Sequence, residues 1–488
     1  MKDTTTQPPW RAILALAVPA SLSFLLQNLY HVNDAWFLGR LGGSATNAMG
    51  LFMMVAVANF GFILTLARGT QSLVGRRFGA RNLEGTQLAI AQGLRLALLV
   101  LIPLGALELI FAPEILGLLG GEGDTVDAGT AYVRTLLCFL PFMFAAPLLE
   151  FCLQALGDAR TPFKLQLVAV SVNTLLNFLL VLPHELRWAD GALSYAGPLV
   201  NGGVALPFFA PGGEGTWSSA GLGVVGAAVA TGCSRMVSSL LAFRVLVRRH
   251  GLRLLLRAPS YRADRRVAAE IFRVGLPAGS STFLFAAVGF VLLRIISRFG
   301  QDALGAYAIG FRAVESVSFM VVLGFGAATG MVVAHSIGAG LLDRARRAAH
   351  VGAALCAAPM LVTTAVMLSA SEGLASLFTP DVGIQAIAAS YIVHMGWCQV
   401  PQSLEMIYGD AMAGAGSSLR AALISIPGNV LRVPAAWVLA VEFELGLLGV
   451  WYAIIGSAVL KGAAMCALFL SGRWEQAMHE GRQNLNPS

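Results

Sequence analysis

Charge is scarce in this sequence. Of its 488 residues 12% are charged, about half the ~25% of a soluble domain. Too little polar material is present to cover a water-soluble body of this size. A disordered tail protein is excluded as well, because 57% of the residues are hydrophobic. Paired cysteines are missing too. The six (Cys138, Cys152, Cys233, Cys356, Cys398 and Cys466) all fall in apolar stretches, and none form a CxxC. They read as small packing residues, which leaves neither a disulfide framework nor a zinc site. The seven histidines show no HExxH or paired spacing. The Gly-rich GLGVVG at 221–226 lacks the lysine and the preceding strand of a phosphate loop.

What is present is length and apolarity. Mean hydropathy is +0.72, and the chain reads as a polytopic membrane protein. The net charge of +7 does not indicate nucleic acid, because the basic residues sit in short stretches between apolar segments. A span needs about 20 apolar residues. Twelve runs qualify, near 12–39, 47–75, 88–110, 130–156, 163–183, 219–247, 267–298, 303–337, 350–370, 384–414, 420–441 and 447–471. The first is too long for a signal-peptide core and is taken as a span. Period-two alternation is absent, which excludes a β-barrel. The expected fold is all-α, twelve transmembrane helices in two six-helix lobes: residues 1–243 and 267–471, joined by a basic linker, 244–266, and followed by a tail, 472–488.

Orientation follows from arginine. Arg76, Arg77 and Arg81 follow span two, Arg160 and Lys164 follow span four, and Arg344, Arg346 and Arg347 follow span eight. Nine more arginines lie between Arg244 and Arg273. The alternate loops carry Glu114, Glu122, Asp124, Asp127, Glu372 and Asp381. Both termini are therefore expected in the cytoplasm.

The chain also repeats itself. LAVPAS at 16–21 matches VGLPAG at 274–279, and LGGSA at 41–45 matches FGQDA at 299–303, both 258 positions apart. FGA at 78–80 matches IGA at 337–339, and Gly157 matches Gly416, at 259. Asn173 and Asn429 are 256 apart, whereas LGVVG at 222–226 and LGLLG at 445–449 are 223 apart. The 33-residue difference is an insertion in the first half, around 184–219, expected as an outer loop or lid without a transport motif. Six spans per half makes a parallel repeat about an axis along the membrane normal, with substrate expected between the lobes.

Asp34 in VNDAWFLGRLG, GRRFGARN at 75–82, LQALGDARTP at 153–162, GLGVVGAAVAT at 221–231, AIGFRAVES at 308–316 and AHSIGAG at 334–340 together resemble the multidrug and toxic compound extrusion (MATE) family. The resemblance covers nearly the whole chain. It implies a monomeric inner-membrane antiporter that exports organic, often cationic, compounds in exchange for H+ or Na+. No cofactor beyond that coupling ion, no nucleic acid and no catalytic activity are implied. A lipid-linked or polysaccharide flippase of the same superfamily is the alternative, and an integral-membrane transferase a remote one.

Intramembrane charge marks function. Asp34 lies about 22 Å along the helix from Pro19. It matches the acid such transporters use for cation coupling; snorkelling to the outer interface is the other reading. Asn173 and Asn177 share one helix face, placed to hold Na+ or to orient Asp34; interhelical packing alone is the alternative. Thr231 matches a hydroxyl of the same site, against bonding back to its own helix. With Na+ as the ion, Asp34, Asn173 and Asn177 would be its ligands. In the second lobe, Phe285 and Gln402 stand where some relatives carry acids, so a sodium site there is not expected. Candidate substrate contacts are Tyr30, Glu315, Gln402, Glu405 and Asp410. Arg312 can pair with Glu315, and Arg294 or Arg298 with Glu405 or Asp410. An unpaired, bundle-facing Glu405 is the preferred anchor for a cationic compound, in a cavity of aromatic and methionine side chains.

Overall fold

The computed structural model describes residues 4–475 apart from 184, 190–191, 198–199, 207–214, 219–220 and 257–261. Side chains of 53, 54, 57, 58, 60, 254, 286, 312–314 and of the strands in 185–218 are not described. Among the described residues, nine helices are long and apolar enough to cross a membrane, ten with one bent pair counted as a single span, and the helices as a whole are consistent with twelve segments in two lobes. The first lobe contains α1 Pro9–Gly39, α2 Gly43–Gly79, α3 Leu83–Leu118, α4 Asp124–Leu137, α5 Leu140–Ala155, α6 Arg160–Leu180 and α7 Gly223–Arg248. The second contains α8 Arg265–Ile296, α9 Gln301–Ile309, α10 Ser316–Gly338, α11 Leu342–Ser369, a short α12 Ser371–Ser376, α13 Val382–Gly396, α14 Gln399–Gly414, α15 Ser418–Trp437 and α16 Leu447–Leu470. A π-helical turn, Gly310–Glu315, joins α9 to α10 into one span. The α4–α5 span bends by 64°. Its break at Cys138 and Phe139 has its counterpart 259 positions on, at Trp397 and Cys398 between α13 and α14.

The repeat is visible in the backbone. Gly42 and Gly300 both hold positive φ (114° and 106°), as do Gly157 and Gly416 (78° and 88°). Only glycine adopts such angles readily. Arg81 and Glu444, non-glycines at positive φ, stand opposite Gly340 and Gly221 in the other lobe.

The lobes touch through reciprocal contacts. A Cβ on Gly79 would overlap the His335 carbonyl, and one on Gly338 would overlap the Arg76 carbonyl. Adding 259 to 79 and 76 gives 338 and 335, so the second contact is the first with the lobes exchanged. Gly279 on Thr65 and Gly324 on Ser21 form a second exchanged pair. A two-fold relation between unlike halves produces such pairs, and glycine lets the backbones approach this closely. The crossing is deep: Ile13, Leu16 and Ala17 of α1 pack into the core of the second lobe, and Val267 and Ile271 of α8 into that of the first.

This seal lies towards the arginine-rich face, where both α1 and α8 begin. Polar contacts reinforce it. Arg76 pairs with Glu270 across the lobes at 2.9 Å, and His335 Nε2 meets the Ala155 carbonyl at 2.7 Å. Thr4 meets the other nitrogen of His335 at 2.6 Å, and Arg344 donates to the carbonyls of Thr4 and Gln7.

One addition departs from an all-helical reading. The insertion carries a four-stranded antiparallel sheet, β1 Glu185–Ala189, β2 Ala192–Gly197, β3 Val200–Leu206 and β4 Gly215–Ser218, in the order β3-β2-β1-β4. Its stems are pinned together: Leu222 N–H donates to the Leu180 carbonyl at 2.7 Å and Gly223 N–H to Val181 at 3.0 Å.

Candidate coupling site and central cavity

Asp34 does not snorkel. It is 2% exposed, and Asn173 and Asn177 are wholly buried. Both amides come from one face of α6, as their spacing of four requires. Asn173 Nδ2 donates to Asp34 Oδ1 at 2.9 Å and Asn177 Nδ2 to the same oxygen at 2.7 Å. Thr231 of α7 donates to Oδ2 at 2.9 Å, so its hydroxyl serves the carboxylate and not its own helix. Asn33 holds Asn173 Oδ1 at 2.7 Å. Asn177 Oδ1 is buried without a hydrogen-bond partner. Among the described residues no cation stands within ion-pair distance of Asp34. The cluster thus surrounds one buried carboxylate with neutral donors and leaves the Asn177 amide oxygen unpartnered beside them.

Tyr30 lies one turn below and faces inward, its hydroxyl at 2.7 Å from Ser234 Oγ and 3.3 Å from the Thr231 carbonyl. It supports the Asp34 cluster and does not line the cavity, where the sequence reading put it as a substrate contact.

The cavity lies between the lobes, on the far side of the seal from the arginine-rich face. Its volume is about 560 Å³, within the range of pockets that take drug-sized molecules. Aromatic and methionine walls are supplied by Phe24, Phe144, Phe285, Phe319, Met320 and Met406. Phe285 and Phe319 lie parallel, ring centres 6.1 Å apart.

Gln402, Glu405 and Asp410 line this cavity; Glu315 does not. Glu315 is buried inside the second lobe, where it accepts from the Tyr391 hydroxyl. The Arg312 side chain expected to pair with it lies outside the described residues. Glu405 is not the unpaired anchor anticipated from sequence. Lys461 of α16 pairs with it at 2.9 Å and Ser425 donates to it at 2.7 Å. Asp410 pairs across the lobes with Arg68 of α2 at 3.1 Å. Neither expected arginine supplies these partners, and Arg298 instead lies over the Trp437 ring at 4.3 Å. The helices bring the partners together from distant parts of the chain.

The MatE family model matches the chain twice, over residues 19–179 and 277–438. The two matches begin at Pro19 and Pro277, 258 positions apart, which is the repeat already seen in sequence and backbone. The chain belongs to the MatE family. Among curated relatives, the probable multidrug resistance protein YoeA of Bacillus subtilis is 26% identical, covering 91% of this chain and 89% of its own. The probable multidrug resistance protein NorM of Thermotoga maritima is also 26% identical, covering 96% and 93%. A solved MATE structure in complex with MaL6 superposes with a TM-score of 0.83 at 22% identity, covering 98% of this chain and all of that one. An outward-facing multidrug resistance MATE transporter of the MOP superfamily gives 0.81 at 22%, covering 98% and 99%. These likenesses establish the two-lobed MATE fold of a multi-pass membrane transporter.

Within this MatE cavity, sequence reasoning missed Arg68, Glu108, Glu150, Arg235 and Lys461. All are ionisable residues inside apolar spans. The rule that singled out Asp34, that intramembrane charge marks a functional position, would have found them if applied to every span.

Proposed function

We propose that this MatE chain is a secondary active antiporter of a bacterial plasma membrane, exporting organic, chiefly cationic, drug-like compounds in exchange for H+ or Na+. The observation that carries this reading is the Asp34 cluster: a carboxylate removed from water, given three neutral donors and, among the described residues, no cation in contact. A bare charge at such depth is unfavourable, so the site gains from binding a cation. Asp34, Asn173, Asn177 and Thr231 are the coupling residues in this account. A proton neutralises the carboxylate directly. Na+ would draw on Asp34 and on the amide oxygens of Asn173 and Asn177 once those amides turn.

The arginine-rich face is assigned to the cytoplasm by the positive-inside rule, with both termini there. The lobes are sealed on that side, so the cavity faces outward. Expelling a monovalent cation against an inside-negative potential costs about 2.3 kcal/mol per 100 mV. One ion returning through Asp34 cancels that electrical term, and its concentration gradient supplies the net drive. Neutralised, α1 can repack near Pro19 and close the cavity as substrate leaves. The monomer suffices for this cycle, and no cofactor beyond the coupling ion enters it. The relatives' names and the drug-sized cavity favour this over a lipid-linked or polysaccharide flippase.

Purified protein in liposomes preloaded with a fluorescent organic cation tests the reading. Exchange driven by an imposed pH or Na+ gradient is expected; no exchange under either gradient would overturn it.

A further inference from the structure

Three polar residues of α7 fall on one helix face: Thr231, Arg235 and Ser238, at i, i+4 and i+7. The outer two each serve a buried carboxylate. Thr231 donates to Asp34 Oδ2 at 2.9 Å, and Ser238 donates to Glu150 Oε1 at 3.2 Å. Seven residues separate them, about 10 Å along the axis. Arg235 sits between, its guanidinium 4.6 Å above the Tyr30 ring.

Arg235 is 6% exposed and lines the cavity. Among the described residues it makes no hydrogen bond and no ion pair. Glu150 also lines the cavity, and its direct partners are neutral: Ser238 and Gln166, whose Nε2 donates at 2.9 Å. The second lobe differs, since Glu405 and Asp410 are already taken by Lys461 and Arg68. The titratable groups facing Arg235 are Tyr30, His31 and Asp34 of α1 and Glu150 of α5. Helix α6 contributes only the neutral amides Gln166, Asn173 and Asn177. One guanidinium thus stands within electrostatic reach of two carboxylates and in contact with neither.

We propose that Glu150 binds the cationic group of the substrate and that Arg235 is the counter-charge it shares with Asp34. While Asp34 is ionised, the guanidinium is drawn towards it and Glu150 is open to an organic cation. When H+ or Na+ neutralises Asp34, the guanidinium turns to Glu150 and the substrate loses its anion. Ion and substrate then exclude each other without sharing a residue. The inference rests on the antiport reading, and names the group on the cavity wall that reading requires.

The test uses the purified full-length protein in nanodiscs, with ethidium, a permanently cationic fluorophore, as probe. Wild type should bind it and release it on acidification or Na+ addition. Glu150→Gln should lose at least about tenfold in affinity, the size of a contact to a charged group. Arg235→Gln should bind at least as tightly as wild type and fail to release in response to either ion. Monodispersity and melting temperature establish folding. Should Arg235→Gln not fold, Arg235→Lys keeps the charge on a different reach and should shift the ion concentration for half-release. If wild type neither binds nor releases ethidium, the antiport reading itself fails. If wild type behaves as stated while Glu150→Gln binds within about twofold, or an Arg235 variant releases as wild type does, the inference is overturned.

Discussion

Asn173 and Asn429 occupy equivalent places in the two lobes and face opposite charges. Asn173 donates its amide to Asp34 at 2.9 Å, whereas Asn429 accepts from the Lys461 ammonium at 2.7 Å. The position equivalent to Asp34, 258 residues on, is Leu292. The fold is duplicated and the ionisable cluster is not. Asn173→Ala should therefore shift the half-saturating concentration of the coupling ion about tenfold, the effect of losing one hydrogen bond to a charge. Asn429→Ala should leave it unchanged. Initial exchange rates against a series of ion concentrations give both values.

Lys461 holds Glu405 in a buried pair, so removing one partner strands the other. Lys461→Met should lower unfolding stability by about 3–5 kcal/mol. The double variant Glu405→Gln/Lys461→Met should recover much of that loss. Thermal unfolding of the detergent-purified proteins compares the three.

How much of this was legible in the sequence varies by feature. The spans were, because a bilayer demands a run of apolar residues that nothing else explains. The Asp34 cluster was too: the spacing of Asn173 and Asn177 puts them on one face before any neighbour is known. Ion-pair partners were not. Arg68 and Asp410 lie 342 residues apart, and Lys461 reaches Glu405 from another helix, so no local period relates them. The insertion misled for a different reason. Its Gly and Pro content reads as loop, while its strands are defined by pairing with one another, which composition does not reveal.

The reciprocal glycines set how closely the lobes approach. Gly338→Val should force α10 away from the Arg76 carbonyl and open the seal on the arginine-rich face. Transport should fall sharply, and cysteine probes placed near Arg76 should become reactive. Gly289→Ala, at a position with no atom within 4 Å of an added Cβ, should change neither.

Asp158, in the turn between α5 and α6, is a pH-sensitive contact outside the spans. Burial opposes its ionisation, but the His250 ring at 3.2 Å and the Thr161 hydroxyl and N–H outweigh it and hold the carboxyl well below its usual range. A carboxyl depressed in the folded state adds stability above its unfolded value of about 3.9, and that contribution is lost as pH falls through the folded value. Asp158→Asn should be less stable than wild type by about 1–3 kcal/mol at pH 7, and the gap should narrow below about pH 4. Melting curves across that range check the sign.

The stems of the insertion are bonded to each other at Leu180–Leu222 and Val181–Gly223, so the helices meet without the sheet. Replacing 184–219 by a short Gly-Ser connection should preserve folding and gradient-driven exchange, with changes confined to rate or selectivity. Flux assays on surface-delivered protein decide it, and complete loss of transport would count against a lid role.

The central claim is that Asp34 couples ion to substrate. Asp34→Asn keeps the shape and fixes the site in its neutral form. Reconstituted beside wild type and tested under both a pH gradient and a Na+ gradient, the variant should insert normally, bind substrate more weakly because Arg235 is left to Glu150, and fail to exchange it against either ion. Gradient-driven export by Asp34→Asn at the wild-type rate would contradict the account and move the coupling site elsewhere, to the carboxylates of the second lobe.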